Sequence, residues 1–266
     1  MSKIALLNFQ KLDFCITRCV DYNEAMRKID FENINHKNIF FVLDKPKEDS
    51  KKIVIMSHGF RSSSLGPART FVDFSKILTD SGYSVLRFDQ PNCGNSEGDF
   101  INSSFNEWVQ VTTFFANKYL SLGYQVILLG QSMGATAIMA ATAQKAIEGK
   151  IPCIILWVPG PVSDFNKPTD AIYEEEGQKY KGIFWQEAKD TDFFACLDKF
   201  KGGIHLVYGE KDRYVPKDQR DLAIEKVKAK NQPFMILKGQ DHSPWEYDLA
   251  QNVYEQELKF IKKYLV

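Results

Sequence analysis

From about residue 52 onward, short unbroken apolar runs alternate with longer stretches in which apolar side chains recur every three or four positions. The runs are Ile53-Val-Ile-Met56, Ser84-Val-Leu-Arg-Phe88, Gln125-Val-Ile-Leu-Leu129, Cys153-Ile-Ile-Leu-Trp157, His205-Leu-Val-Tyr208 and Phe234-Met-Ile-Leu237. Each is short and rich in branched residues, as a strand covered on both faces must be. The longer stretches predict helices at about 68–81, 105–121, 133–148, 217–229 and 247–264. In the first, Phe71, Phe74, Ile77 and Leu78 share one face, and Ser81-Gly82 ends it.

Strands separated by helices imply an α/β chain with a mostly parallel sheet and helices on both faces. Two regions break the rhythm. Among the first fifty residues, Asn38-Ile-Phe-Phe-Val-Leu43 reads as a strand and Cys15 to Asp21 as a weaker one. With little helix between them, they are expected to be antiparallel edge strands. The stretch 159–201 is charged and aromatic and carries no strand signal. Its acidic run, Glu174-Glu-Glu176, reads as a solvated helix face. An insertion here would lie at the carboxyl ends of the strands, where open α/β sheets bind ligands. The expectation is one domain, 1–266, with a small cap insertion at about 159–201.

The most informative segment is Val126-Ile-Leu-Leu-Gly130-Gln131-Ser132-Met133-Gly134-Ala135, an apolar strand, then Gly-x-Ser-x-Gly, then a small-residue helix. A serine nucleophile needs a tight strand-to-helix turn that holds its hydroxyl clear of the sheet, with glycines on both sides to make room. The same turn aims helix amides at developing charge. A second Gly-x-Ser-x-Gly at Gly94–Gly98 has no strand running into it and is not read as an elbow.

These motifs resemble the α/β-hydrolase superfamily, in particular its esterase and serine-aminopeptidase-like branch. His58-Gly59-Phe60 resembles its HG-aromatic oxyanion motif, and Arg87-Phe88-Asp89 with Gly94-Asn95-Ser96-Glu97-Gly98 its R-x-D…G-x-S-x-G loop. Gly209-Glu210-Lys211-Asp212 with Val215-Pro216 resembles its acid loop, and Asp241-His242-Ser243 its histidine position. The resemblance implies an α/β-hydrolase fold and the chain order Ser132, Asp212, His242 for nucleophile, acid and base. Chemically, a serine hydroxyl needs a neighbouring base, which histidine supplies near neutral pH. A carboxylate must hold that base's tautomer, and Glu210 rivals Asp212 within the same loop. The resemblance implies the backbone amides of Phe60 and Met133 as oxyanion donors, with side-chain identity there of little account. Trp185, Phe184 and Tyr180, with Phe193 and Phe194, either line a substrate pocket or form the cap's own core.

Composition narrows the partners. Lys plus Arg and Asp plus Glu both number 34, so no long-range field recruits nucleic acid or an anionic membrane. The five cysteines are scattered without metal-ligand spacing, as suits a reducing compartment. The N-terminal apolar run is too short for a signal-peptide core, which predicts a soluble cytoplasmic protein. No metal or organic cofactor is called for. The N-terminal strands offer an edge for a homodimer contact.

The expected activity is cleavage of a small carboxylic ester through an acyl-enzyme on Ser132. A thioesterase or small peptidase with the same triad is the alternative, and a non-catalytic binding protein of the same fold a remote one. The loop at 87–98 and the small cap resemble cinnamoyl and feruloyl-type esterases. Gly98-Asp-Phe100 and Leu156-Trp157 resemble hydrolases associated with exopolysaccharide systems. Gln131 stands where histidine is commoner in that family.

Overall fold

The computed structural model describes residues 20–22 and 25–265. Its strands are β1 (Val20–Tyr22), β2 (Ala25–Ile34), β3 (Lys37–Lys45), β4 (Lys52–Ser57), β5 (Ser84–Phe88), β6 (Gln125–Gln131), β7 (Cys153–Trp157), β8 (Ile172–Glu175), β9 (Gln178–Lys181), β10 (Gly203–Gly209) and β11 (Phe234–Leu237). The helices are α1 (Thr70–Asp80), α2 (Phe105–Ser121), α3 (Met133–Thr142), α4 (Ile183–Asp190), α5 (Phe193–Lys199), α6 (Lys217–Ala229) and α7 (Tyr247–Ile261).

One sheet runs in the order β1-β2-β3-β5-β4-β6-β7-β10-β11. From β5 to β11 every neighbouring pair is parallel, and β1, β2 and β3 extend the sheet antiparallel at one edge. Every residue of β5, β7 and β10 is buried, so helices must cover both faces. This is the α/β-hydrolase architecture the motifs implied. The capping-box pattern Ser104-x-x-Glu107 starts α2, with Ser104 Oγ accepting from the Glu107 amide.

Three details depart from the sequence expectations, and a fourth expectation lies partly outside the described residues. The strand β2 was not anticipated, because its apolar residues Met26, Ile29 and Phe31 are exposed and alternate with charges on both faces. Of the weaker strand expected over Cys15 to Asp21, residues 15–19 lie outside the described residues, and Val20–Tyr22 is a strand. The helix expected over 133–148 ends at Thr142, whose Oγ1 bonds back to Met139 O, and tighter three-residue turns follow. Finally, 159–201 does contain strands: β8 and β9 form a hairpin closed by Glu176-Gly177, with φ of 48° and 79°. Positive φ at both central residues is the type I′ pattern that matches strand twist. The acidic run is therefore a strand end and a turn, not a helix face.

A buried polar cluster ties the last helix to the sheet. Glu257 of α7, fully buried, accepts from Trp157 Nε1 at 2.9 Å and meets His205 Nδ1 at 2.6 Å. The Trp157 ring packs against Phe71, Phe74, Trp245 and Tyr254.

Candidate active site

The strand β6 runs into Ser132, which sits at φ 55° and ψ −125°, a backbone state that a non-glycine residue holds only under constraint. The surroundings supply that constraint. Ser132 N–H donates to Trp157 O at 2.8 Å, and Ser132 O accepts from Ala135 N at 2.9 Å as α3 begins. A Cβ at Gly134 would stand 2.1 Å from Ser57 O, and one at Gly59 would stand 2.9 Å from Ser132 Cβ. The glycines thus let the helix start, the end of β4 and the His58-Gly59 loop close onto one another.

His242 Nδ1 lies 2.7 Å from Asp212 Oδ2. A carboxylate only accepts, so the proton sits on Nδ1 and the Nε2 lone pair is left free. That contact is the one hydrogen bond of the His242 ring among the described residues. The other Asp212 oxygen accepts from the amides of Tyr214 (2.9 Å) and Val215 (3.0 Å), so the carboxylate is fixed in both position and rotation. The Tyr214 ring meets the His242 ring edge-on, with centroids 5.3 Å apart. The rival carboxylate, Glu210, points elsewhere and accepts from Gly239 N at 2.7 Å. Gln131 Nε2 donates to Ser243 Oγ at 2.8 Å, stitching the residue before Ser132 to the residue after His242. That link was not anticipated from the sequence, although the unusual glutamine was its visible signal.

His58 is buried, and burial pushes its pKa below the usual histidine value. Its Nε2 accepts from Gln90 N at 2.9 Å, which leaves the proton on Nδ1 to donate to Gly59 O at 2.8 Å. A neutral ring bonded at both ends orders the loop and has no proton to trade. The amides of Phe60 and Met133 have no hydrogen-bond partner among the described residues. The Phe60 side chain, expected to matter little, is the centre of a cluster: Phe100, Tyr180, Phe184 and Trp185 all lie with centroids within 4.8–5.1 Å of it.

A cavity of about 430 Å³ joins these pieces, lined by Gly59, Phe60, Ser132, Met133 and His242 together with Arg61, Gln131, Glu175, Glu176, Trp185 and Tyr214. Asp212 stands behind His242, buried. Of the three aromatic residues expected at a pocket, Trp185 lines the cavity, whereas Tyr180 and Phe184 do not. Phe184 is fully buried against Phe105 and Trp108, and Tyr180 stacks edge-on against Phe60. Both support the wall from behind, because the hairpin and α4 turn them toward Phe60. Phe193 is likewise buried. Cys93, in the 87–98 loop, is buried and desolvated, which pushes its thiol pKa up.

Residues 48–167 match the serine aminopeptidase S33 family, Hydrolase_4. Est1E from Butyrivibrio proteoclasticus, solved with ferulic acid bound, superposes with a TM-score of 0.77 at 21% identity, covering 88% of this chain and 98% of that one. A monoacylglycerol lipase from Paleococcus ferrophilus superposes with a TM-score of 0.65 at 16% identity, covering 91% and 100%. In sequence, the chain is 25% identical over 209 residues to the mitochondrial palmitoyl-protein thioesterase ABHD10 of Bos taurus, covering 71% of this chain and 66% of the relative, just under two thirds of its length. The chain has the α/β-hydrolase fold. It resembles the esterase and serine-aminopeptidase-like branch of proteins with that fold, and the match over residues 48–167 supports hydrolytic chemistry. Among the described residues, no helix is long and apolar enough to cross a membrane.

Proposed function

We propose that this protein is a serine hydrolase that cleaves carboxylic esters through an acyl-enzyme on Ser132. The observation that carries the reading is the positive-φ serine at a strand-to-helix turn, sharing one cavity with a histidine whose Nδ1–H is held by a buried aspartate. In this reading His242 Nε2 takes the Ser132 proton as Oγ attacks the ester carbonyl. Asp212 keeps the tautomer fixed and stabilises the imidazolium. The amides of Phe60 and Met133, both otherwise unengaged, receive the oxyanion. His242 then returns the proton to the departing alkoxide, and water activated by the same ring releases the acid.

We read 159–201 as the cap over this cavity, since Glu175, Glu176 and Trp185 supply one of its walls. Met133, Pro161 and Val162 add apolar lining, so the space suits an apolar acyl or aryl group of modest size. The ferulic acid complex of Est1E, similar in fold, supports an aromatic acyl group. The likeness to ABHD10 favours a thioester as the second reading.

Labelling with a fluorophosphonate probe, wild type against Ser132→Ala, tests the nucleophile. Label lost in the variant is expected; label retained, or no label on folded wild type, overturns the reading. A panel of 4-nitrophenyl esters, acyl-CoA thioesters and aminoacyl arylamides then ranks the bond classes, with the esters expected to turn over fastest.

A further inference from the structure

We propose that the acidic turn of the cap hairpin, Glu175 and Glu176, is a positioning element that holds the oxyanion loop and the base side of the site in register. The proposal rests on the active-site reading above and adds residues to it. Arg61 follows the oxyanion residue Phe60 and is itself in the left-handed region, at φ 58°. An arginine there is strained unless something beyond the loop holds it. The holder is the cap. Arg61 Nη2 lies 3.1 Å from Glu175 Oε1, and Nη1 lies 3.0 Å from Glu176 Oε2. The guanidinium also lies 5.9 Å from the centre of the Phe60 ring, on the aromatic cluster to which the cap contributes Tyr180, Phe184 and Trp185. The direction of the Phe60 N–H is therefore tied to the cap through a charged pair of contacts and an apolar one.

The second carboxylate oxygen of Glu176 reaches the other side of the site. Glu176 Oε1 accepts from Tyr214 OH at 3.4 Å, and the Tyr214 ring rests on His242. One residue at the hairpin tip thus touches the partner of the oxyanion loop and the partner of the base. The type I′ turn gives that tip its reach: Glu176 at φ 48° and Gly177 at φ 79° fold the chain back on itself where Glu175 and Glu176 line the cavity.

The alternative is that both glutamates contact substrate directly, since both line the cavity. The two roles separate in kinetics. Glu176 is 67% and Glu175 40% exposed, but Arg61 is only 14% exposed, so stripping this largely buried guanidinium of its partners should lower the melting temperature as well. A positioning role is therefore read from kcat at nearly constant KM, whereas a substrate contact acts on KM.

The test compares wild type, Glu175→Gln with Glu176→Gln, Arg61→Gln, and all three substitutions together. The readouts are hydrolysis of 4-nitrophenyl butyrate and the rate of fluorophosphonate labelling. The glutamine pair is expected to lower kcat and the labelling rate by about tenfold, less than the outright loss of an oxyanion donor. KM should move by less than about threefold, because uniform binding is untouched. The triple variant should be no slower than Arg61→Gln alone, because the charged contacts are already gone and a glutamine oxygen at position 176 can still accept from Tyr214 OH. Wild-type kcat should fall with added sodium chloride, and that dependence should vanish in the variants. Unchanged kcat with a raised KM, or additive losses, overturns the positioning role while leaving the nucleophile reading standing. A wild type that neither labels nor turns over overturns the active-site reading and the positioning role with it.

Discussion

Replacing Glu257 by leucine tests how firmly the last helix is locked to the sheet. The carboxylate is fully buried and serves two partners, Trp157 Nε1 at 2.9 Å and His205 Nδ1 at 2.6 Å. Leucine fills nearly the same volume but accepts nothing. Each buried group left without its partner forfeits about 1–3 kcal/mol, and two partners are left here. The added apolar contacts of leucine offset part of this, so a loss of roughly 3 kcal/mol is expected. For a chain of this size each kcal/mol moves the melting temperature by about 2–4 °C, so the variant should melt roughly 6–12 °C below wild type. Urea unfolding should show a lower midpoint with the same slope. Adding His205→Leu should recover part of the loss, because the stranded partner is then gone as well. A single variant within about 1 kcal/mol of wild type, or a double variant with fully additive losses, would refute the argument.

Three further outcomes are expected. Asp212→Asn should fold normally, since its remaining oxygen can still accept from Tyr214 and Val215, but kcat should fall by about 10⁴ as the histidine tautomer is lost; a drop of under tenfold would contradict the orienting role. Because burial lowers the His58 pKa in the folded state, the unfolded chain binds more protons as pH falls below about 6.5, so stability should be full above that value and decline beneath it. Urea midpoints from pH 7.5 to 5.0 should show this slope flattened in His58→Gln, and an identical slope in the variant would exclude His58 as its source. Gly134→Ala should destabilise by at least about 2 kcal/mol, because the new methyl meets the Ser57 and His58 carbonyl oxygens, which a packed backbone cannot move aside; a variant melting with wild type would show that the elbow has slack.

The parallel core was legible because burial on both faces forces unbroken apolar runs, and strands such as Cys153–Trp157 and Ser84–Phe88 begin and end where those runs do. The elbow was legible because tight packing demands glycines at fixed offsets. The strand β2 was hidden because its pairing with β3 is a backbone matter that leaves Ile29 and Phe31 facing water. The hairpin was hidden because its turn carries glutamate where asparagine or aspartate would have announced a positive φ, and what holds Glu176 there, Arg61, lies 115 positions away in the chain. Glu257 and Arg61 were invisible for the same reason. In sequence each is one more charged residue, and only the folded chain shows what it faces.

The spacing of the sheet works as a ruler for the chemistry. Neighbouring strands lie about 4.8 Å apart, so Asp212, beyond β10, is two strand widths or roughly 10 Å from the line of Ser132 at the end of β6. The carboxylate cannot touch the hydroxyl, and an imidazole ring is about the right length to bridge them. His242, however, comes from the loop after β11, one strand further out, and must double back across the mouth of β10. It can do so because β10 ends in Gly209, where even a methyl group would come within 2.1 Å of Asp241 O. The route of the histidine across the sheet is thus set by the glycine at the carboxyl end of β10, which has nothing to put in its way.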